Sequence, residues 1–189
     1  MPALSLDLSQ TKLFTSILKK EKGNLRLRAF YPSGHPFKSS DSGRKGEPKR
    51  ATVEEWQNEG RGVYAVINDG GDTDSEITKC RAVFCEWDDR PKEWQVDAWK
   101  GLGLPEPTLQ VDTGGKSIHN YWVFAEPISV DDWKSLQTRL LDHADADRSL
   151  KNPSRVMRLP GTFHIDGDGN PGGLTSIIHT SENYYTVRD

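Results

Sequence analysis

The chain is short of several things, and each shortage removes a class of protein. It holds two cysteines, Cys80 and Cys85, close together in sequence. No disulfide framework is built from such a pair, and the two read as reduced thiols of an intracellular protein. Long apolar runs are missing: Val63 to Ile67 is among the longest and is far too short to span a bilayer. The opening residues, Met1-Pro-Ala-Leu-Ser, contain no charged segment leading into an apolar one, so no secretory signal is expected. An excess of positive charge is also missing. With 25 Lys and Arg against 28 Asp and Glu, the net charge is −3 and the pI about 6.0. That argues against coating nucleic acid through global charge, yet it leaves room for a local cationic groove beside acids that hold metal. No internal repeat and no low-complexity tract is found.

What is present is enough for a folded core. A chain of 189 residues, 34% hydrophobic and with six Trp, fits one domain or one domain with a small lobe. It buries roughly two-thirds of its unfolded surface, so neither disulfide nor structural metal is required. Leu13, Phe14, Ile17 and Leu18 predict an amphipathic helix over 9–21, with Ser9 as cap and Gly23 as stop. Alternation from Leu25 to Tyr31 predicts a half-buried strand. Residues 32–50 read as a basic loop with Lys38, Arg44, Lys45, Lys49 and Arg50, either a solvated segment or a flexible arm that contacts phosphates; it is the one candidate boundary. Thr52 to Glu55 has the pattern of a capping box opening a short helix. Further strands are expected at Gly62 to Asn68, Cys80 to Trp87, Thr108 to Asp112, Asn120 to Ala125 and Arg155 to Leu159. Edge strands are expected at Ser176 to His179 and Tyr184 to Val187. Helices are expected at 92–102 and, capped by Ser129, at Val130 to Leu141. The short link between two of the strands predicts a mixed-sheet α/β or α+β fold over a purely parallel sheet.

Three segments carry chemistry. In Val83-Phe84-Cys85-Glu86-Trp87-Asp88-Asp89 an apolar strand ends in acids at alternating positions. The two-residue period puts Glu86 and Asp88 on one face. Neighbouring carboxylates repel unless a cation lies between them, and hard oxygen donors suit Mg²⁺ or Mn²⁺; a solvated acidic turn is the plainer alternative. In Asp112-Thr-Gly-Gly-Lys-Ser-Ile-His119 two glycines allow close backbone approach. Lys116, Ser117 and His119 add an ammonium, a hydroxyl and an imidazole suited to triphosphate oxygens. The first glycine of a Walker loop is missing, and a hairpin turn with an incidental His remains the alternative. The third segment holds Asp145, Asp147, Arg155 and Arg158, and the sequence does not separate Asp145 from Asp147 as a third acid.

In that order the segments resemble the archaeo-eukaryotic primase superfamily, in its primase-polymerase branch of plasmids, phages and other mobile elements. The carriers are Glu86-Trp87-Asp88, Ser117-Ile118-His119, an Asp near 147, and Arg158-Leu-Pro-Gly161, together covering about residues 60–165. Glu86 departs from the commoner Asp. The resemblance implies an α+β fold with an RRM-like catalytic sheet and an additional N-terminal α/β unit. It implies a single catalytic domain over 1–189, with an N-terminal helix-and-strand segment over 1–60, a core over 61–165 and C-terminal strands over 166–189. It implies template-directed nucleotidyl transfer by two Mg²⁺ or Mn²⁺ ions held by Glu86, Asp88 and Asp147. Lys116, Ser117, His119 and Arg158 would bind the triphosphate. The implied partners are nucleoside triphosphates, single-stranded DNA template and primer, and a helicase domain or protein; no membrane is involved. The Asn68-Asp-Gly-Gly71 turn is a candidate border of the nucleotide or template, and Trp87 or Tyr121 a candidate stacking surface, though core packing is the simpler role. Two other classes compete. A metal-dependent nuclease or replication initiator lacks support, since no His-x-His pair lies near a Tyr nucleophile. A non-catalytic RRM-like binding module would show aromatics where Val83 to Asp89 shows acids.

Overall fold

A computed structural model describes residues 4–20 and 24–189. Among them ten strands and four α-helices form. The first sheet contains β1 (Leu27–Phe30), β2 (Arg44–Gly46), β3 (Gly62–Val66) and β7 (Val156–Arg158) in the order β2-β1-β3-β7. The second contains β4 (Cys80–Cys85), β5 (Leu109–Asp112), β6 (Ile118–Ile128) and β10 (Ser176–Thr180) in the order β10-β5-β6-β4. β8 (Phe163–Ile165) and β9 (Pro171–Leu174) make a separate hairpin. Every pairing among these strands is antiparallel, so the fold is α+β.

Helix α1 (Leu8–Ile17) is capped by the Asp7 carboxylate, which accepts from the Ser9 N–H at 3.2 Å. The cap is therefore Asp7, not Ser9; the predicted stop at Gly23 lies outside the described residues. Phe14 of α1 meets Tyr121 edge-on at 5.8 Å, and Tyr121 in turn packs on Phe84 at 6.0 Å. Phe84 also meets Trp133 of α4 (Val130–His143) at 5.9 Å. Buried aromatics of this size dominate a core of modest apolar content. Trp87 and Tyr121 belong to it, both nearly or wholly buried, and the Trp87 indole donates to the Ala144 carbonyl at 2.9 Å. Neither is free to stack on a base.

Helix α2 (Arg50–Asn58) begins two positions before the expected cap and has no side-chain cap at Lys49. A capping box forms instead at Thr73 and Glu76. The basic stretch 32–50 is not one loop: β2 lies within it and pairs with β1, which removes the boundary proposed there. Tyr184 to Val187 is not a strand. Tyr185 makes an isolated bridge to Phe124, its carbonyl accepting from Ala125 at 2.8 Å. The β8–β9 hairpin has no counterpart among the expected strands, because its Gly- and Asp-rich sequence carries no alternation.

Two polar devices tie the layers together. The Gln137 side chain of α4 accepts from the Phe84 N–H at 3.0 Å and donates to the Phe84 carbonyl at 2.7 Å, closing the open edge of β4 as a neighbouring strand would. The buried Lys20 ammonium donates to the Val66 and Asn68 carbonyls at 3.1 and 2.9 Å and pairs with Asp69 at 3.1 Å. Asp69 also pairs with Arg81, and the Asn68 amide donates to the Pro153 carbonyl at 3.0 Å. The Asn68 turn is thus a structural junction between the sheets, and among the described residues it is not part of the lining of the cavity that holds Glu86 and Asp88.

Candidate active site

The end of β4 and the start of β6 lie side by side because Cys85 pairs with Asn120. The next cross-strand neighbours are Glu86 and His119, and period-two geometry gives them the same face. Their side chains meet, with His119 Nε2 3.1 Å from Glu86 Oε2. His119 Nδ1 lies 3.2 Å from the Tyr121 hydroxyl, so the ring is held from both sides. Two residues further along each strand's line, the Ser117 hydroxyl donates to Asp88 Oδ1 at 2.8 Å. The acid pair and the Ser-x-His segment are therefore one constellation.

Gln95 of α3 (Lys92–Gly101) fixes the loops that carry it. Its amide donates to the Arg90 carbonyl at 2.7 Å and the Lys116 carbonyl at 3.2 Å, and accepts from the Ile118 N–H at 2.7 Å. The β5–β6 loop is further pinned by the Thr113 hydroxyl, which donates to the Ser117 carbonyl at 2.8 Å. Gly114 has φ +70°, and a Cβ there would stand 2.2 Å from the Gly173 carbonyl oxygen of β9. Only glycine supplies both that conformation and that approach.

These residues open into a cavity of about 600 Å³, lined among others by Glu86, Asp88, Lys116, Ser117, His119 and Arg158. Six of the seven predicted site residues thus share one cavity. It also contains Tyr64, Arg155 and His164. Tyr64 stands opposite Arg158 in the first sheet, with the guanidinium 5.2 Å from the ring. The site therefore draws on both sheets. Burial alone would raise the Glu86 carboxyl. The charge and hydrogen bond of His119, a Ser117 hydrogen bond and the charge of Arg158 outweigh it and hold the group down at about 2. Burial, followed by the charge of Arg158, pushes His164 below its ordinary value, and its Nδ1 has no hydrogen-bond partner among the described residues.

Asp147, the seventh predicted residue, does not line the cavity. Its N–H donates to the Glu86 carbonyl at 3.1 Å, while its carboxylate accepts from the Ser149 N–H and hydroxyl at 2.9 and 2.7 Å. Ser149 also accepts from Arg155. Asp145 faces elsewhere, 3.1 Å from Arg148 on the surface. Among the described residues no three His, Cys, Asp or Glu side chains converge as a ready metal cage. Sequence reasoning missed Tyr64 and His164. Tyr64 gave no signal, being one aromatic in a buried strand, whereas His164 lies just past the Arg158-Leu-Pro-Gly161 run.

Acids at the end of one strand, a Ser-x-His segment beside them and an arginine from the other sheet are the arrangement that the resemblance to the archaeo-eukaryotic primases implies. Comparison with solved structures agrees. The archaeo-eukaryotic primase domain of the cyanophage S-2L primase-polymerase is 39% identical, with a TM-score of 0.89 over 98% of this chain and 96% of that one. Two structures of primase RepB′ share the fold. One is 14% identical with a TM-score of 0.66, covering 94% of this chain and 57% of that one. The other, a catalytic domain in complex with initiator DNA, is 15% identical with a TM-score of 0.65, covering 94% and 86%. No protein-family model and no curated protein matched. The chain belongs to the archaeo-eukaryotic primase superfamily, in its primase-polymerase branch, a family of nucleotidyltransferases.

Proposed function

We propose that the chain is one catalytic domain that copies single-stranded DNA from nucleoside triphosphates, by primer extension, by priming, or by both. The observation that carries this reading is the shared cavity. Two carboxylates, Glu86 and Asp88, face Lys116, Arg155 and Arg158 across one space. Acid and cation together suit a metal-bound triphosphate better than a bare anion or a bare cation.

The donor set fits a hard divalent cation in part. Glu86 and Asp88 are oxygen donors on one face; Asp147 adjoins Glu86 through its backbone, and to serve as a third donor its carboxylate would have to leave Ser149. Bound Mg²⁺ or Mn²⁺ would supply Lewis acidity to the attacking hydroxyl and the departing pyrophosphate. The protein's own contribution is positioning. Lys116 and Arg158 bring cationic donors to the phosphates. Arg158 has no ion-pair partner among the described residues, and neither has Lys116. Ser117 orients Asp88 through its 2.8 Å bond. His119, held between Glu86 and Tyr121, presents a fixed ring to the cavity. Tyr64 offers an aromatic edge beside Arg158.

Purified protein, Mg²⁺ or Mn²⁺, nucleoside triphosphates and a primed single-stranded template provide the test. Extended strands are expected. Asp88→Asn removes an oxygen donor and no core contact, so extension should fall by at least about a hundredfold with an unchanged melting temperature. Full activity in that variant would refute the carboxylate assignment. Shortened template would indicate a nuclease, and a mobility shift without synthesis a binding module.

A further inference from the structure

The first sheet carries a row of side chains that starts in the active-site cavity and runs out beyond it. Lys45 stands opposite Arg28, Arg28 opposite Tyr64, and Tyr64 opposite Arg158. Opposed residues of antiparallel strands project from one face, here the face away from buried Leu27, Ala29, Val63, Ala65 and Met157. Four side chains from four neighbouring strands therefore form a line, roughly 14 Å long at about 4.8 Å per strand. Its Tyr64–Arg158 end lines the active-site cavity. Its other end reaches the basic stretch 32–50.

The row holds three cations and one ring, and further rings lie beside it. Phe30, two positions from Arg28 and so on the same face, has the Arg28 guanidinium 5.0 Å and the Lys38 ammonium 5.2 Å from its ring. Phe37, beside Lys38, is 60% exposed, and its neighbours are the rings of His35 and Tyr31 at 5.5 and 5.9 Å. Lys45 shares Asp72 with Arg26, at 3.3 and 2.8 Å. Arg28, Lys38 and Arg158 form no ion pair among the described residues, and Arg28 Nε is shut off from solvent without a hydrogen-bond partner. Like charges set directly opposite each other destabilise a sheet. In a chain of net charge −3, folding alone gives no reason to line them up.

We propose that this row is the track along which single-stranded DNA runs to or from the active-site cavity. Its phosphates lie on Arg28, Lys38 and Lys45, leading to the triphosphate side of the cavity at Arg158, and a base stacks on Phe37. The inference rests on the polymerase reading above and adds to it the surface and the residues. A single strand is favoured over a duplex because only unpaired bases offer a free π-face to an exposed ring.

Fluorescence anisotropy of a labelled oligothymidylate, without triphosphate or divalent cation, tests this separately from catalysis. Arg28→Gln/Lys45→Gln should bind about tenfold more weakly at low salt, with a plot of log affinity against log salt shallower by about 1.4. Phe37→Ala should weaken binding by about fivefold or more with the slope unchanged, and should leave duplex binding unaffected. Lys38, Lys45 and Phe37 are exposed, so their variants spare the core if Arg28→Gln unfolds, and Arg28→Lys should recover most of the salt slope. If the wild type binds and extends a primer while every variant binds equally well, the track is wrong and the polymerase reading stands. Equal loss on duplex and single strand for Phe37→Ala also overturns it. If the wild type neither binds nor extends, both readings fall.

Discussion

Glu86 shows how much one side chain owes to its neighbours. Its ordinary value of 4.5 drops to about 2, burial being outweighed by His119, Ser117 and Arg158. A carboxyl depressed on folding contributes stability that is present above its unfolded value and lost as pH falls through the folded one. The window here is therefore from about 4.5 down to about 2. Urea titrations of metal-free protein across that range should show the wild type losing on the order of a few kcal/mol, and Glu86→Gln losing less. Parallel declines for the two proteins would mean that the pairing with His119 does not form. At this scale the sequence was informative. Alternation alone put Glu86 with Asp88 on one face and Ser117 with His119 on one face, and the strand pairing then sets Glu86 against His119 and Asp88 against Ser117. It was silent on Tyr64, whose role exists only because Arg158 stands opposite it in another strand.

Elements are held by polar contacts that sequence does not announce. Gln137 is one Gln on the predicted helix, yet it closes the edge of β4 and also donates to the Leu150 carbonyl at 3.0 Å. Gln137→Leu keeps the bulk and strands buried backbone groups, so a loss of about 2–3 kcal/mol is expected in equilibrium unfolding. A change within a few tenths would show that water replaces the amide. The helix boundaries erred for a related reason. A capping pattern at Thr52 to Glu55 was present, but the chain turns in at Lys49 because β2, unseen in the sequence, ends just before it. Three-residue strands such as β2 and β8 carry too few positions for a period to register.

Across the whole molecule, Lys20, Asp69 and Arg81 tie the two sheets together, and we expect the sheets to unfold as one unit. Cys80 and Cys85 report on it. Both are fully buried and unpaired. Burial, reinforced by nearby Asp69, pushes the Cys80 thiol up to about 12, and burial with nearby Glu86 pushes Cys85 up. Neither should react with iodoacetamide at neutral pH until the fold opens globally. In a denaturant series the labelling rate should track the unfolded fraction, and fast labelling in native buffer would show that β4 opens locally.

The sequence by itself determined what depends on near neighbours along the chain: the period of β4, the acid-x-acid and Ser-x-His spacings, the helix that Ser129 caps, and the absence of any apolar run long enough to cross a membrane. Only the tertiary structure decided that a second sheet delivers Tyr64 and Arg158 to the same cavity, that Asp147 turns its carboxylate to Ser149, and that Lys45, Arg28, Tyr64 and Arg158 fall into line. The reason is register. Side-chain direction repeats every two residues within a strand, but which residue it then faces is fixed by pairing with a strand far away in the chain, and no local pattern encodes that choice.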